Sequence, residues 1–182
     1  SSKLPTLPMN SLPANRLVRS LLALAGAAAA LAAELPTPEE YRANWPRFRR
    51  PDGGGVYAKG DVPLTCDVKT GANIAWIADV PAAGFSSPVV WGDRIFVPTA
   101  VPTGRPASGG SQPEHKFMVL CFDRKTGKLL WQQVARVEAP HESHHPQYGS
   151  FASNSPITDG KHLIAFFGSR GAYCYTLDGK LV

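Results

Sequence analysis

At 182 residues the chain is long enough for one ordinary domain, and its formal charge of +5 raises the question of an anionic partner. Three basic residues, Lys3, Arg16 and Arg19, fall in the first 33 positions, which hold no acid, and the remaining basic residues nearly balance the 14 acidic ones. There is no basic stripe interleaved with aromatics, so the composition argues against nucleic-acid binding.

Residues 1–33 read as upstream sequence and a secretory signal. Arg16 and Arg19 form a basic region, Leu21–Ala33 an apolar one, and Ala30-Leu31-Ala32 an A-x-A cleavage site. Thirteen such residues would span about 20 Å as a helix, short of the roughly 30 Å hydrocarbon core. Export to a periplasmic or secreted location follows, with no transmembrane segment left after signal removal. Three cysteines in an exported chain leave at least one unpaired; Cys66, Cys121 and Cys174 are expected as small buried hydrophobes on inner strands.

Residues 34–63 read as an N-terminal extension or linker. Leu35–Glu40 is a linker or the capped start of a short helical turn. Asn44–Val56, with two prolines and three glycines, excludes both a helix and a central strand, although Trp45 and Phe48 can anchor it by burying aromatic area.

Residues 64–182 are β-rich. Strands are expected at Leu64–Val68, Ile74–Val80, Ser86–Trp91, Arg94–Val97, Phe117–Phe122, Leu129–Val137, Leu163–Phe167 and Ala172–Leu177. The Pro/Gly/Ser-rich stretch Val101–Lys116 and Glu138–Gly149 are loops. Cys121–Trp131 is the best-defined unit, an apolar run, a turn closed by Thr126-Gly127, and a second apolar run. Gly127 can take positive φ there, and the Asp123 carboxylate can bond free backbone N–H groups. Weaker copies run from Cys66 through Thr70-Gly71 to Trp76, and from Cys174 to Gly179 and Leu181. The turn glycines Gly71, Gly127 and Gly179 are 56 and 52 residues apart, a period that signals repeats. The Pro-strand-turn-strand pattern at Pro88 returns 68 residues later at Pro156. Each unit is expected to hold four short antiparallel strands, with the Thr-Gly or Asp-Gly turn as the joint to the next unit.

Asp123-x-x-Thr126-Gly127-Lys128-x-x-Trp131, together with Ser86–Val97, resembles the tryptophan-docking repeat of PQQ-type β-propellers. Asn44-Trp45-Pro46-x-Phe48-Arg49 and Tyr173–Lys180 look like secreted PQQ-like repeat proteins, a group related to the propeller lipoprotein of the outer-membrane assembly machine. The resemblance covers residues 44–182. It implies an all-β propeller fragment of two to three four-stranded blades, with the remaining blades outside this chain. Thr70, Gly71, Trp76, Asp123, Thr126, Gly127, Trp131 and Gly179 become structural repeat positions. Each docked Trp would bury up to about 250 Å² against a neighbouring blade, worth several kcal/mol at about 25 cal/mol/Å². Arg50 stands where a glycine commonly follows the Phe-Arg pair.

The resemblance implies a non-catalytic segment that binds or scaffolds a protein or cell-envelope partner. Its alternative is the N-terminal fragment of a PQQ-dependent dehydrogenase oxidising alcohols or sugars, with PQQ and calcium as cofactors. No Cys-Cys pair accompanies that alternative, and the acids Asp67, Asp93, Asp123, Asp159 and Asp178 fall in turns, where they serve the backbone. No catalytic residue is identified. The tract His141, Glu142, His144 and His145 is the one cluster with metal-ligand chemistry, although flanking prolines place it in a loop. Ser86, Ser87, Ser153 and Ser155 lack a G-x-S-x-G elbow and are expected to satisfy turn backbones.

Overall fold

The computed structural model describes residues 35–57, 60–106 and 112–182; the stretch read as a secretory signal lies outside the described residues. Residues Pro36–Val182 form one compact unit. It opens with α1 (Pro38–Ala43), capped by the Thr37 hydroxyl, which accepts from the Glu40 N–H at 3.1 Å. The Asn44 side chain closes the helix by donating to the Glu40 carbonyl and accepting from the Gly92 N–H at 2.7 Å. That ties the N-terminal segment to the first strand turn.

The rest is β-structure in two antiparallel sheets. The first has the order β1 (Val89–Trp91), β2 (Arg94–Pro102), β3 (His115–Asp123), β4 (Leu129–Glu138). The second has β5 (Ile157–Thr158), β6 (His162–Phe166) and β7 (Ala172–Thr176), with a 3-10 turn at Gly168–Arg170 between the last two. β3 reads as a continuous apolar run because both of its faces are covered. Successive side chains alternate between faces, and Phe117 through Phe122 are all buried.

The two sheets repeat one unit residue for residue. Val89 pairs with Phe96, and 68 positions on Ile157 pairs with Ile164. Phe96 pairs with Cys121, and Ile164 with Cys174. Phe122 pairs with Leu129, and the matching Tyr175 is bridged to Leu181. Val89, Phe96, Val119 and Cys121 of the first sheet share one core with Leu163, Ala165, Phe167 and Tyr175 of the second.

Four expectations need correction. The Thr126-Gly127 turn is not the joint between units. It closes the β3–β4 hairpin inside the first sheet, with Cys121 opposite Trp131, and the chain crosses to the second sheet through residues 139–156. Leu64–Val68 and Ile74–Val80 form no ladder; they share only the Asp67–Ala72 bridge at their turn. With no third strand beside it among the described residues, such an arm pair lacks the support an isolated hairpin needs. Phe48 is exposed, and the buried anchors of its loop are Pro46 and the half-buried Trp45, which bridges Val90. Cys66 is exposed rather than buried; Cys121 is buried and Cys174 half-buried, and all three thiols are free.

Candidate functional site

The repeat positions meet in two like joints. Asp123 Oδ1 accepts from the Lys125 and Thr126 N–H groups and the Thr126 hydroxyl, at 3.0, 2.8 and 2.8 Å. The Thr126 bonds lead in holding its carboxyl below the ordinary value of 3.8. Asp67 caps the earlier turn in the same way, through Lys69 and Thr70, and is lowered likewise. On the far side of the Asp123 turn lies Trp76. Its indole N–H donates to the Arg124 carbonyl at 2.8 Å, and a Cβ added at Gly127 would fall 2.5 Å from its Cε3. Gly127 also has φ 71°, so the turn demands glycine twice.

The second joint repeats the first. Trp131 leaves β4 and lies on the Asp178-Gly179 turn of the second sheet. Its indole N–H donates to the Leu177 carbonyl at 3.0 Å. A Cβ at Gly179, where φ is 86°, would fall 2.8 Å from Trp131 Cδ2. The ring also sits between Phe96 and Tyr175, at centroid distances of 5.9 and 6.4 Å, and so bridges the two sheets. Each Trp therefore satisfies its one donor and covers the turn glycine of the following unit.

The histidines of the 141–145 tract go separate ways. His141 Nδ1 lies 2.6 Å from Arg170 Nη2. His144 packs edge-on against Phe151, and His145 stacks on Tyr148 while its Nδ1 accepts from the Gln147 and Tyr148 N–H groups. No group of three His, Cys, Asp or Glu side chains among the described residues is placed to hold a metal ion. The tract instead packs against the 3-10 turn of the second sheet. Buried Arg170 pairs with Glu138 at 2.6 Å and donates to the Ala139 carbonyl, and Ser169 donates to Glu142.

Of the four serines, the hydroxyls of Ser153 and Ser155 serve backbone. Ser155 Oγ accepts from the Ser87 N–H at 2.8 Å, and Ser153 Oγ accepts from the Ser150 N–H and donates to its carbonyl. Ser86 Oγ is buried without a hydrogen-bond partner among the described residues. Ser87, Ser153, Asn154 and Ser155 form the polar wall of a cavity of about 470 Å³ whose apolar wall is Phe85, Ile157, Ile164 and Phe166. It opens on the outer face of the second sheet. Ser87 and Ser155 stand in equivalent places in the two units.

Three turn aspartates, Asp67, Asp123 and Asp159, bond backbone. Burial raises the Asp159 carboxyl, but the His162 and Lys161 N–H bonds outweigh it and leave it lowered. Asp93 and Asp178 pair with cations instead, Asp93 with Arg124 and Lys125, Asp178 with Arg94. Sequence reasoning missed Trp91 lying on Gly160, where a Cβ would sit 2.3 Å from its Cζ2. The 68-residue offset between the two Gly/Asp turns was the signal for it. Nothing in the sequence marked Arg170 as buried and ion-paired.

The chain matches no protein-family model, no curated protein and no solved structure.

Proposed function

We propose that residues 64–182 are consecutive blades of a PQQ-like β-propeller in an exported protein, and that they bind or scaffold a protein or cell-envelope partner without catalysis. One observation carries this reading: two tryptophans, Trp76 and Trp131, each seat on the turn glycine of the next unit with the indole N–H on that turn's backbone carbonyl. A unit that carries a ring seated on its successor's turn is built to be stacked. Two hydroxyls of the cavity wall, Ser153 and Ser155, are engaged with backbone, which supports a binding surface over a reaction centre. The outer face of the second sheet, with Ile157, Ile164 and Phe166 exposed, supplies apolar area for a partner. Export rests on the sequence of residues 9–33; among the described residues no helix is long and apolar enough to cross a membrane.

Two measurements test the reading. A solvatochromic apolar dye should bind the wild-type chain, and Phe166→Lys should weaken that binding while the circular dichroism spectrum stays unchanged. Dye binding indifferent to Phe166→Lys would remove the face from the account. Dye-linked alcohol or sugar oxidation after addition of PQQ and calcium should stay at background, and turnover would overturn the non-catalytic assignment.

A further inference from the structure

The cavity on the outer face of the second sheet has a chemistry narrower than that of an apolar surface. Its volume of about 470 Å³ falls within the range of small-molecule sites, about 300–1,000 Å³. Phe85 and Phe166 on its apolar wall are both half-exposed. On its polar wall the Ser87 hydroxyl and the Asn154 carboxamide make no hydrogen bond among the described residues. Ser155 Oγ accepts from the Ser87 N–H at 2.8 Å, which leaves its own proton to donate. No charged side chain lines the cavity among the described residues.

The first sheet shows what is particular to this place. At the offset that carries Val89 to Ile157, Phe166 stands where the first sheet has Pro98, and Asn154 where it has Ser86. Pro98 and the Ser86 hydroxyl are both buried. On the open face a larger ring and a carboxamide take their places, and both are exposed. A face shaped only to receive another sheet gains nothing from a carboxamide, whose burial without a partner is costly.

We propose that this cavity binds a neutral carbohydrate. A wholly apolar ligand would strip water from Ser87 and Asn154 without replacing their hydrogen bonds, and an ion would find no counter-charge. An extended peptide takes its backbone bonds from an open sheet edge, whereas this site lies on a sheet face. A sugar ring meets both walls, because it carries C–H groups on its faces and hydroxyls around its rim. The C–H face packs on the Phe85 and Phe166 rings, and the rim hydroxyls bond to Ser87, Asn154 and Ser155, which between them donate and accept. This assignment rests on the outer face being a binding surface, and it narrows the partner to one that presents neutral sugars.

The test is calorimetric titration of the full chain with maltohexaose, cellohexaose and chitohexaose. At least one should bind with a Kd of about 1 mM or tighter. Phe166→Ala should weaken that binding by about tenfold and Asn154→Leu by about fivefold, with the circular dichroism spectrum unchanged. Asn154→Leu removes hydrogen-bonding groups and adds apolar area, so it should leave the binding of a solvatochromic apolar dye intact or stronger. Dye binding with no binding of any of the three sugars would overturn the carbohydrate assignment and leave the face a binding surface. Loss of the dye as well would remove both. Sugar binding indifferent to Phe166→Ala and Asn154→Leu would lie elsewhere on the chain and overturn the proposal.

Discussion

The two sheets have the same strand register and differ in what lies against them. Phe96 and its equivalent Ile164 occupy the same ladder position, yet Phe96 is 0% exposed and Ile164 40%. Val89 is 0% exposed, and its equivalent Ile157 is 47%. The first sheet has the second against this face; the second sheet offers the same face to solvent. Burial in this molecule is thus a property of the neighbouring unit more than of the residue. A sequence that places Ile and Phe on both faces of each sheet has prepared every unit to be sandwiched.

The largest effects should come from breaking that contrast directly. Phe96→Ala removes a ring from the shared core and should cost about 3–5 kcal/mol in chemical denaturation. Ile164→Ala, at the matching but open position, should cost about 1 kcal/mol. Equal costs at the two positions would mean that the open face is covered in solution. Next come the turn glycines. Gly127→Ala and Gly179→Ala each force a side chain into positive φ and against an indole, and each should cost about 2 kcal/mol or more. The same substitution at Gly71, where φ is 76° but no ring approaches, should cost about half as much.

The cysteines sharpen the comparison kinetically. Cys121 and Cys174 are equivalent in register, but burial pushes the Cys121 thiol up to about 12, so it stays protonated and unreactive at neutral pH. A thiol reagent should label exposed Cys66 first, half-buried Cys174 more slowly, and Cys121 only on unfolding. Fast labelling of Cys121 in the native state would show that the two sheets separate readily.

The smallest effect is electrostatic. The Asp123 carboxyl is lowered below 3.8 by the Thr126 bonds first, so the stability it contributes is complete above that pH and lost as pH falls through the folded value. Asp123→Asn keeps an acceptor but loses the charge. The gap in melting temperature between wild type and this variant should be constant at neutral pH and close below pH 3.8. A gap that widened on acidification would assign the turn's stability to other groups.

What was legible in the sequence was local or periodic. The Asp-x-x-Thr-Gly turn shows in its residues because its hydrogen bonds are made within five positions, and β3 and β6 show as apolar runs. The place of the turn within a sheet was not legible. The hairpin signal at Cys121–Trp131 and a joint between units use the same residues, and only the Cys121–Trp131 pairing decides between them. Ile74–Val80 has strand chemistry, but a ladder also needs a partner strand, which the residues themselves do not supply. The histidine tract looked like one cluster because sequence spacing carries no direction. Phe151, Tyr148 and Arg170, three separate partners, draw its three rings apart.

The seating of each tryptophan on the following unit's glycine can be measured as a coupling. In a double-mutant cycle of Trp131→Ala with Gly179→Ala, removing the ring should make room for the new Cβ. The cost of Gly179→Ala should then fall by about 1 kcal/mol or more in the Trp131→Ala background. The pair Trp76→Ala with Gly127→Ala should couple in the same way, while the crossed pair Trp131→Ala with Gly127→Ala should add to within about 0.5 kcal/mol. Additivity in both cognate pairs would contradict the account, because two rings that touch nothing at those glycines cannot be what joins one unit to the next.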